Sequence, residues 1–425
     1  MQTIFLKSTS NPEQKTLSNR FLNYCLITFF LSGCSGVHDE RATDSDIYGQ
    51  SPMIIDIARD YNNEIEFRLS EIAYDIEYIK LEATPESLIG GGLRNHIVTD
   101  DYIFIYEQRR LLQFDRTGKF VKQIGREGRG PGEVLLARNF AMDKENNIIY
   151  MLANFKNEIL KYDATTGEFL GSFQRSEYLG DNTMQGAFQV IGNGILASLS
   201  QFMTQYRPEY VLLEVFDNEG NILKKHKSHI FSYQNDEKIE KMQFVSHMQT
   251  WIFQDQLRLF ERGNDTIYTL VELMLEPEYI LNLGKYKKPL HTGIYRSDRY
   301  IHLYSFRETK SALYFLYTYD DEMFSAKYSK ENGQFFRFVN PDGQKNRIHN
   351  DVDGGLSIWP YYYEGELEDE WYYLVDAINM KQMLTPEYLK ESEAKYPEKK
   401  EDLKEFIEEL SIEDNPVIMI IKLRD

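Results

Sequence analysis

From Arg94 onward the chain consists of short apolar runs of about five to eight residues, separated by Asp, Asn and Gly, with no sustained helical period until near residue 385. Such runs predict strands joined by tight turns, and their order repeats. One unit reads HIVTD (His96 to Asp100), YIFIYE (Tyr102 to Glu107), LLQFD (Leu111 to Asp115) and KFVKQIG (Lys119 to Gly125). The next reads NFAMD (Asn139 to Asp143), NIIYMLA (Asn147 to Ala153), EILKYD (Glu158 to Asp163) and EFLGSF (Glu168 to Phe173). Each is a four-stranded meander whose last hairpin turns on an Asp followed by Thr-Gly, with Gly118 or Gly167 free to take positive φ.

Four less regular units keep the rhythm. The third holds FQVIG, GILASLSQ, EYVLLEVFD and NILKKH, and the fourth HMQTWIF, QLRLFE, DTIYTLV and EYILNLG. The fifth holds YIHLYSF, ALYFLYTYD, MFSAKYS and QFFRFVN. The sixth shows LSIWPYYYEG, EWYYLVDAI and, after an insertion, VIMIIKL (Val417 to Leu423). Six units of somewhat over 50 residues are close to the ~40 to 50 of propeller blades. The sixth lacks a strand, and an unassigned one, IEYIKLEA (Ile76 to Ala83), precedes the first unit. The fold expected is therefore all-β, a six-bladed β-propeller closed by pairing of N- and C-terminal strands. The insertion, about 385–410, opens with Thr-Pro-Glu and spaces Leu403, Phe406, Ile407 and Leu410 on one face, which predicts a helix packed on the exterior.

The first 33 residues carry Lys7, Lys15 and Arg20, then an apolar run from Phe21 to Leu31, then Ser32-Gly33-Cys34. That run is about half the ~20 residues a spanning helix needs, so it reads as a signal peptide. Leu31-Ser32-Gly33-Cys34 is a lipobox, with Cys34 the residue expected to carry the lipid. Residues 34–52 then form a polar tether and 53–425 the propeller. The other cysteine, Cys25, lies in the part removed, so disulfides and thiolate chemistry are excluded from the folded domain.

Composition agrees with strands: 30 Tyr and 26 Phe stand against 12 Pro. The formal net charge is −19, and removing residues 1–33 leaves 45 basic against 66 acidic groups, a net −21. Such a chain repels nucleic acid, so no nucleic-acid partner is expected.

Phe114 to Glu133, FDRTGKFVKQIGREGRGPGE, followed by a strand ending in Ala141-Met142-Asp143, resembles an NHL-type repeat. Together with the lipobox, IKLEAT, GNDTIY (Gly263 to Tyr268) and the terminal DNPVIMIIKL, it is similar to the six-bladed β-propeller lipoproteins of Bacteroidota. The resemblance covers roughly residues 70 to 425. It implies a fold and a place, lipid-anchored in the cell envelope and most simply at the outer membrane, and no activity.

Motifs that carry chemistry are scarce. Gly125 to Glu133 (GREGRGPGE) places Arg126 and Arg129 among glycines, but Pro131 stands where a phosphate-binding Lys belongs. The segment reads as the crossing from one blade to the next, with Arg126, Arg129, Gly130 and Glu133 the candidate ligand-face loop. Eight histidines form no ligand spacing; the nearest pair, His226 and His229, sits in a Lys-rich turn. Asp143, Glu145 and Asn147 alternate like part of a calcium loop but lack its Gly and distant Glu, so a hairpin turn is expected. No metal or cofactor is expected. Asp265-Thr266-Ile267 fits a short O-glycosylation pattern similar to that of exported Bacteroidota proteins. Tyr361 to Tyr363 and Tyr372-Tyr373 suit either stacking on sugars or packing between blades. No GxSxG appears, and no pair of carboxylates stands out for glycoside chemistry. The leading expectation is a non-enzymatic envelope lipoprotein that binds a glycan, peptide or partner protein through its loop face. The alternatives are a glycan hydrolase or lyase using channel carboxylates, and an accessory subunit of an outer-membrane transporter contacting the C-terminal insertion.

Overall fold

The computed structural model describes residues 51–424 apart from 91–94, 108–109, 135–136, 154–157, 175–184, 193, 201–210, 229–247, 290–298, 342 and 362–366. The signal segment, Cys34 and the tether up to residue 50 lie outside the described residues.

The chain begins with three strands that belong to late blades: β1 (Met53–Ile55), β2 (Glu64–Ile65) and β3 (Ala73–Lys80), with the short helix α1 (Ile57–Asp60) after β1. Blade 1 is β4 (Asn95–Val98), β5 (Tyr102–Glu107), β6 (Arg110–Asp115) and β7 (Phe120–Ile124). A two-stranded link, β8 (Arg126–Glu127) and β9 (Glu133–Val134), leads into blade 2. That blade is β10 (Ala137–Asp143), β11 (Ile148–Ala153), β12 (Glu158–Asp163) and β13 (Phe169–Gln174). Blade 3 is β14 (Gln185–Val190), β15 (Leu196–Ser200), β16 (Val211–Phe216) and β17 (Ile222–Lys227). Blade 4 is β18 (Met248–Phe253), β19 (Gln256–Glu261), β20 (Thr266–Val271) and β21 (Met274–Leu281), with β1 added in parallel outside β21. Blade 5 is β22 (His302–Glu308), β23 (Ala312–Tyr319), β24 (Glu322–Ser329) and β25 (Gln334–Phe338), with β2 added in parallel outside β25. Blade 6 is β26 (Glu370–Val375), β27 (Val417–Leu423) and the N-terminal β3.

The ring is held by one apolar cluster at each of its six junctions. Ile97, Phe104 and Leu111 pack against Phe140 and Ile149 between blades 1 and 2. Their neighbours Val98, Ile103 and Leu112 pack the opposite way, against Tyr372 and Ile418 of blade 6. Successive strand residues point to opposite faces, and both faces are buried here, so the strands read as unbroken apolar runs. Trp251 and Phe306 meet between blades 4 and 5 with ring centroids 5.5 Å apart, and Tyr314 meets Trp371 between blades 5 and 6 at 5.3 Å.

The Asp-Thr-Gly hairpins join blades as well as strands. The Asp115 carboxylate accepts the Thr117 and Lys119 amides at 2.9 and 3.0 Å, and Asp217 repeats the pattern with Glu219 and Asn221 at 3.0 and 2.9 Å. Gly118 has φ 85°, and a Cβ there would overlap the Lys80 carbonyl oxygen of blade 6. The outer strands that follow these hairpins open with a bulge, the extra residues being Val121, Leu170 and Leu223, all exposed.

Closure matches the sequence expectation, since β27 pairs antiparallel with β3, Met419 opposite Tyr78. The structure differs in three respects. The N-terminal strand starts at Ala73 and ends at Lys80, because at Glu82 the backbone turns to bond Gly118 of blade 1. The run from Leu356 contributes only a bridge, Ile358 to Ile348, among the described residues; Pro360, lacking an N–H, follows at once. The insertion holds three helices, α2 (Ala377–Met383), α3 (Pro386–Glu391) and α4 (Pro397–Glu409). Thr385 caps α3 by accepting the Tyr388 amide at 3.2 Å. Leu403, Ile407 and Leu410 are buried, and Phe406 lies 5.5 Å from the Tyr78 ring, so α4 packs on blade 6 as its apolar spacing predicts.

Candidate functional site

In each antiparallel blade the turn after the first strand and the turn after the third lie at the same end. At that end blades 4, 5 and 6 enclose a cleft of about 80 Å³. Its floor is Phe253, the last residue of β18, and its walls are the Thr309-Lys310-Ser311 turn of blade 5 and Glu368-Asp369 ahead of β26. Ile72, Leu423 and Arg424 close the outer side.

Each wall is fixed by backbone bonds. Gln254 and Asp255 both have positive φ, the left-handed pair of a tight two-residue hairpin. The Gln254 amide donates to Glu368 Oε1 at 2.8 Å, tying blade 6 to blade 4 past blade 5. The Leu423 amide donates to Asp369 O at 2.8 Å, and the Arg424 amide to Ile72 O at 2.7 Å. Arg424 also donates to the Tyr396 hydroxyl at 2.6 Å, so the helical insertion braces the rim.

Beneath the floor lies a buried charge network centred on Glu308, at the end of β22. Its carboxylate accepts from Trp251 Nε1 at 2.9 Å, Tyr279 Oη at 2.7 Å and Lys330 Nζ at 2.8 Å, and lies 3.4 Å from Arg258 Nε. Lys330 Nζ also stands 4.3 Å from the Phe253 ring centroid. Burial, reinforced by the Glu308 carboxylate, pushes the Tyr279 phenol far above its ordinary range, so it stays a hydrogen-bond donor. Glu308 is fully buried and saturated with partners, which makes it a support for the cleft and keeps it from reaching a ligand.

Of the residues singled out in the sequence, Gly130 and Glu133 come together: the Glu133 carboxylate accepts the Gly130 amide at 2.8 Å. A Cβ at Gly128 would overlap the same carboxylate. The loop therefore supplies its own anion to the amide that a phosphate would seek. Arg126 pairs with Glu133 in the β8–β9 ladder, and the side chains of Arg126 and Arg129 face solvent. This crossing enters the start of β10, so it lies on the face of the ring opposite the cleft. Asp143 accepts the Asn146 amide at 3.0 Å and forms the expected hairpin turn, with Asn147 at φ 55°. Thr266 opens β20, and Asp265 beside it pairs with Lys287. Tyr372 is buried between blades 6 and 1 and donates to Glu370 at 2.7 Å; Tyr361 is exposed; Tyr362, Tyr363 and His229 lie outside the described residues. Sequence reasoning missed the cleft altogether.

Residues 52–422 match the family model described as a domain of unknown function, DUF4934. The chain belongs to the DUF4934 family. Among solved structures, a protein of Bacteroides fragilis described as exported is 18% identical with a TM-score of 0.62, over 88% of this chain and 100% of that one. A DUF4221 member from Bacteroides vulgatus is 9% identical with a TM-score of 0.47, over 85% and 98%. At these identities the likeness speaks to the fold alone. No curated protein matches the chain. Among the described residues no helix of this DUF4934 chain is long and apolar enough to cross a membrane.

Proposed function

We propose that this protein is an exported, lipid-anchored binding module whose ligand, a glycan or peptide, seats one terminal group or side chain in the cleft over blades 4 to 6. The observation that carries this reading is the cleft itself. It places Lys310 and Arg424 together with Glu368 and Asp369, the Thr309 and Ser311 hydroxyls and the Phe253 floor around a space of about 80 Å³. A few polar groups converging on an apolar floor is the composition of a small-ligand site. Charges of both signs suit a polar, near-neutral ligand better than a polyanion. The Bacteroides fragilis neighbour, described as exported, supports the location, and Cys34 in its lipobox supports the anchor.

The test is a screen of the mature chain against glycans and peptides, with product analysis beside each binding measurement. Saturable binding weakened by Lys310→Ala and by Asp369→Asn, both exposed, without a change in melting temperature, is the expected result. Turnover of any bound glycan would replace the binding reading with a hydrolase or lyase. For the anchor, metabolic fatty-acid labelling lost on Cys34→Ser is expected; labelling that persists would sink it.

A further inference from the structure

The rim of the ring is treated in three ways. On blades 4 and 5 the outer strand carries an added parallel strand, Ile54 opposite Ile280 and Glu64 opposite Arg337. The added backbone is bonded, with the Arg337 amide donating to Asn63 O and the Val339 amide to Ile65 O, both at 2.9 Å. On blade 6 the outer strand is itself N-terminal. Blades 1, 2 and 3 end, among the described residues, on β7, β13 and β17 with no strand beyond them.

These three edges differ. On β7 the Phe120 amide is capped by Glu82 Oε2 at 2.8 Å. β13 carries no basic residue and holds Gly171 at φ 123° in its ladder. Past its bulge at Leu223, β17 reads Lys224-Lys225-His226-Lys227 in a chain of net charge −19, with a second register shift on the β16 side between Val211 and Leu213. Lys225 pairs with the buried Glu214 at 3.1 Å, while Lys224 and Lys227 point to opposite faces of the strand. Blade 5 shows how such a strand is completed, because the added residue Glu64 forms an ion pair with Arg337 of the outer strand it joins.

We propose that the edge of β17 is a docking site for an extended, acidic segment of a partner protein, added parallel to β17 as β2 is added to β25. Main-chain bonds supply the attachment and the lysines select acidic side chains. The opposing reading is that edge lysines only discourage strand pairing, and the two predict opposite results.

The probe is a fluorescent peptide with the sequence from Asn62 to Phe67, the acidic strand the ring already uses, titrated into the mature chain. Saturable binding is expected. It weakens by about tenfold in the Lys224→Gln/Lys227→Gln double variant, weakens as salt rises, and is lost when alternate peptide amides are N-methylated. Lys227 is exposed and Lys224 half-buried, so an unchanged melting curve checks that the variant folds. No saturable binding, or binding indifferent to the double substitution, overturns the proposal. Concentration-dependent dimerisation in sedimentation that the double variant abolishes makes the occupant a second copy and overturns it too.

Discussion

Asn415 is bonded through both ends of its carboxamide to the segment around Ser87: Oδ1 accepts the Ile89 amide at 2.8 Å, and Nδ2 donates to Ser87 O at 2.9 Å and Glu82 O at 2.8 Å. One buried side chain thereby holds the crossing from blade 6 to blade 1 against the strand that closes the ring. Replacing it by Ala takes the Asn415 partner from the buried Ile89 amide and from the Ser87 carbonyl, while Glu82 O keeps the Ser87 hydroxyl at 2.7 Å. Asn415→Ala is expected to lower stability by about 2 kcal/mol, measured by urea unfolding, and Asn415→Asp, which keeps the acceptor and removes the donor, is not expected to rescue it.

Two glycines, Gly118 in a hairpin turn and Gly171 inside strand β13, separate strain from contact. Gly118 and Gly171 both have positive φ, but a Cβ at Gly118 meets the Lys80 carbonyl, whereas nothing lies within 4 Å of one at Gly171. Gly171→Ala carries the backbone strain alone, at about 1 kcal/mol. Gly118→Ala adds the clash between blades and is expected to cost at least about 1 kcal/mol more. Equal melting shifts for the two would contradict the seating of the hairpin on blade 6.

Glu308 is the hub under the cleft. Glu308→Gln leaves the Lys330 and Arg258 cations without their buried counter-charge and is expected to cost about 3 kcal/mol. Pairing it with Lys330→Met removes one of the stranded charges, so the double variant is expected to lose less than the sum of the single ones, a coupling that a double-mutant cycle reads directly.

Stability will depend on pH from two sources. His96 on β4 is almost completely buried, and desolvation pushes its imidazole down to about 3. The unfolded chain, with an ordinary value near ~6.5, binds that proton first, so its contribution is fully present above ~6.5 and is lost as pH falls towards 3. Asp163, held low by the Thr166 amide, and Asp217, held low by Asn221, contribute only above the ordinary carboxylate range and lose that contribution at still more acid pH. Melting temperature against pH should therefore fall in two stages, and His96→Phe should flatten the upper one. A variant curve parallel to the wild type would refute the assignment.

The blades were legible because their inner strands are buried on both faces and, in the first two units, punctuated by Thr-Gly turns after an Asp, a signal carried within each stretch of chain. The girdle was not. Strands of three and two residues, Met53–Ile55 and Glu64–Ile65, have no period of their own and exist only because Tyr279 to Leu281 and Arg337-Phe338 present an edge. Nor was the cleft, since Ile72, Phe253, Lys310 and Glu368 come from four distant places and none carries a motif. The Gly-rich crossing was legible as a connection, while the capture of its Gly130 amide by Glu133 depends on a turn that spacing does not reveal.

The three N-terminal strands also order events in time. A chain that emerges from a ribosome or a translocation pore N-terminus first presents β1, β2 and β3 before any of their partners exists. β3 waits for β27, which follows it by more than 300 residues. Ring closure thus follows the making of the other five blades and closes a loop of several hundred residues, and a chain cut just before Val417 would leave β3 without a place to pair while β1 and β2 keep theirs.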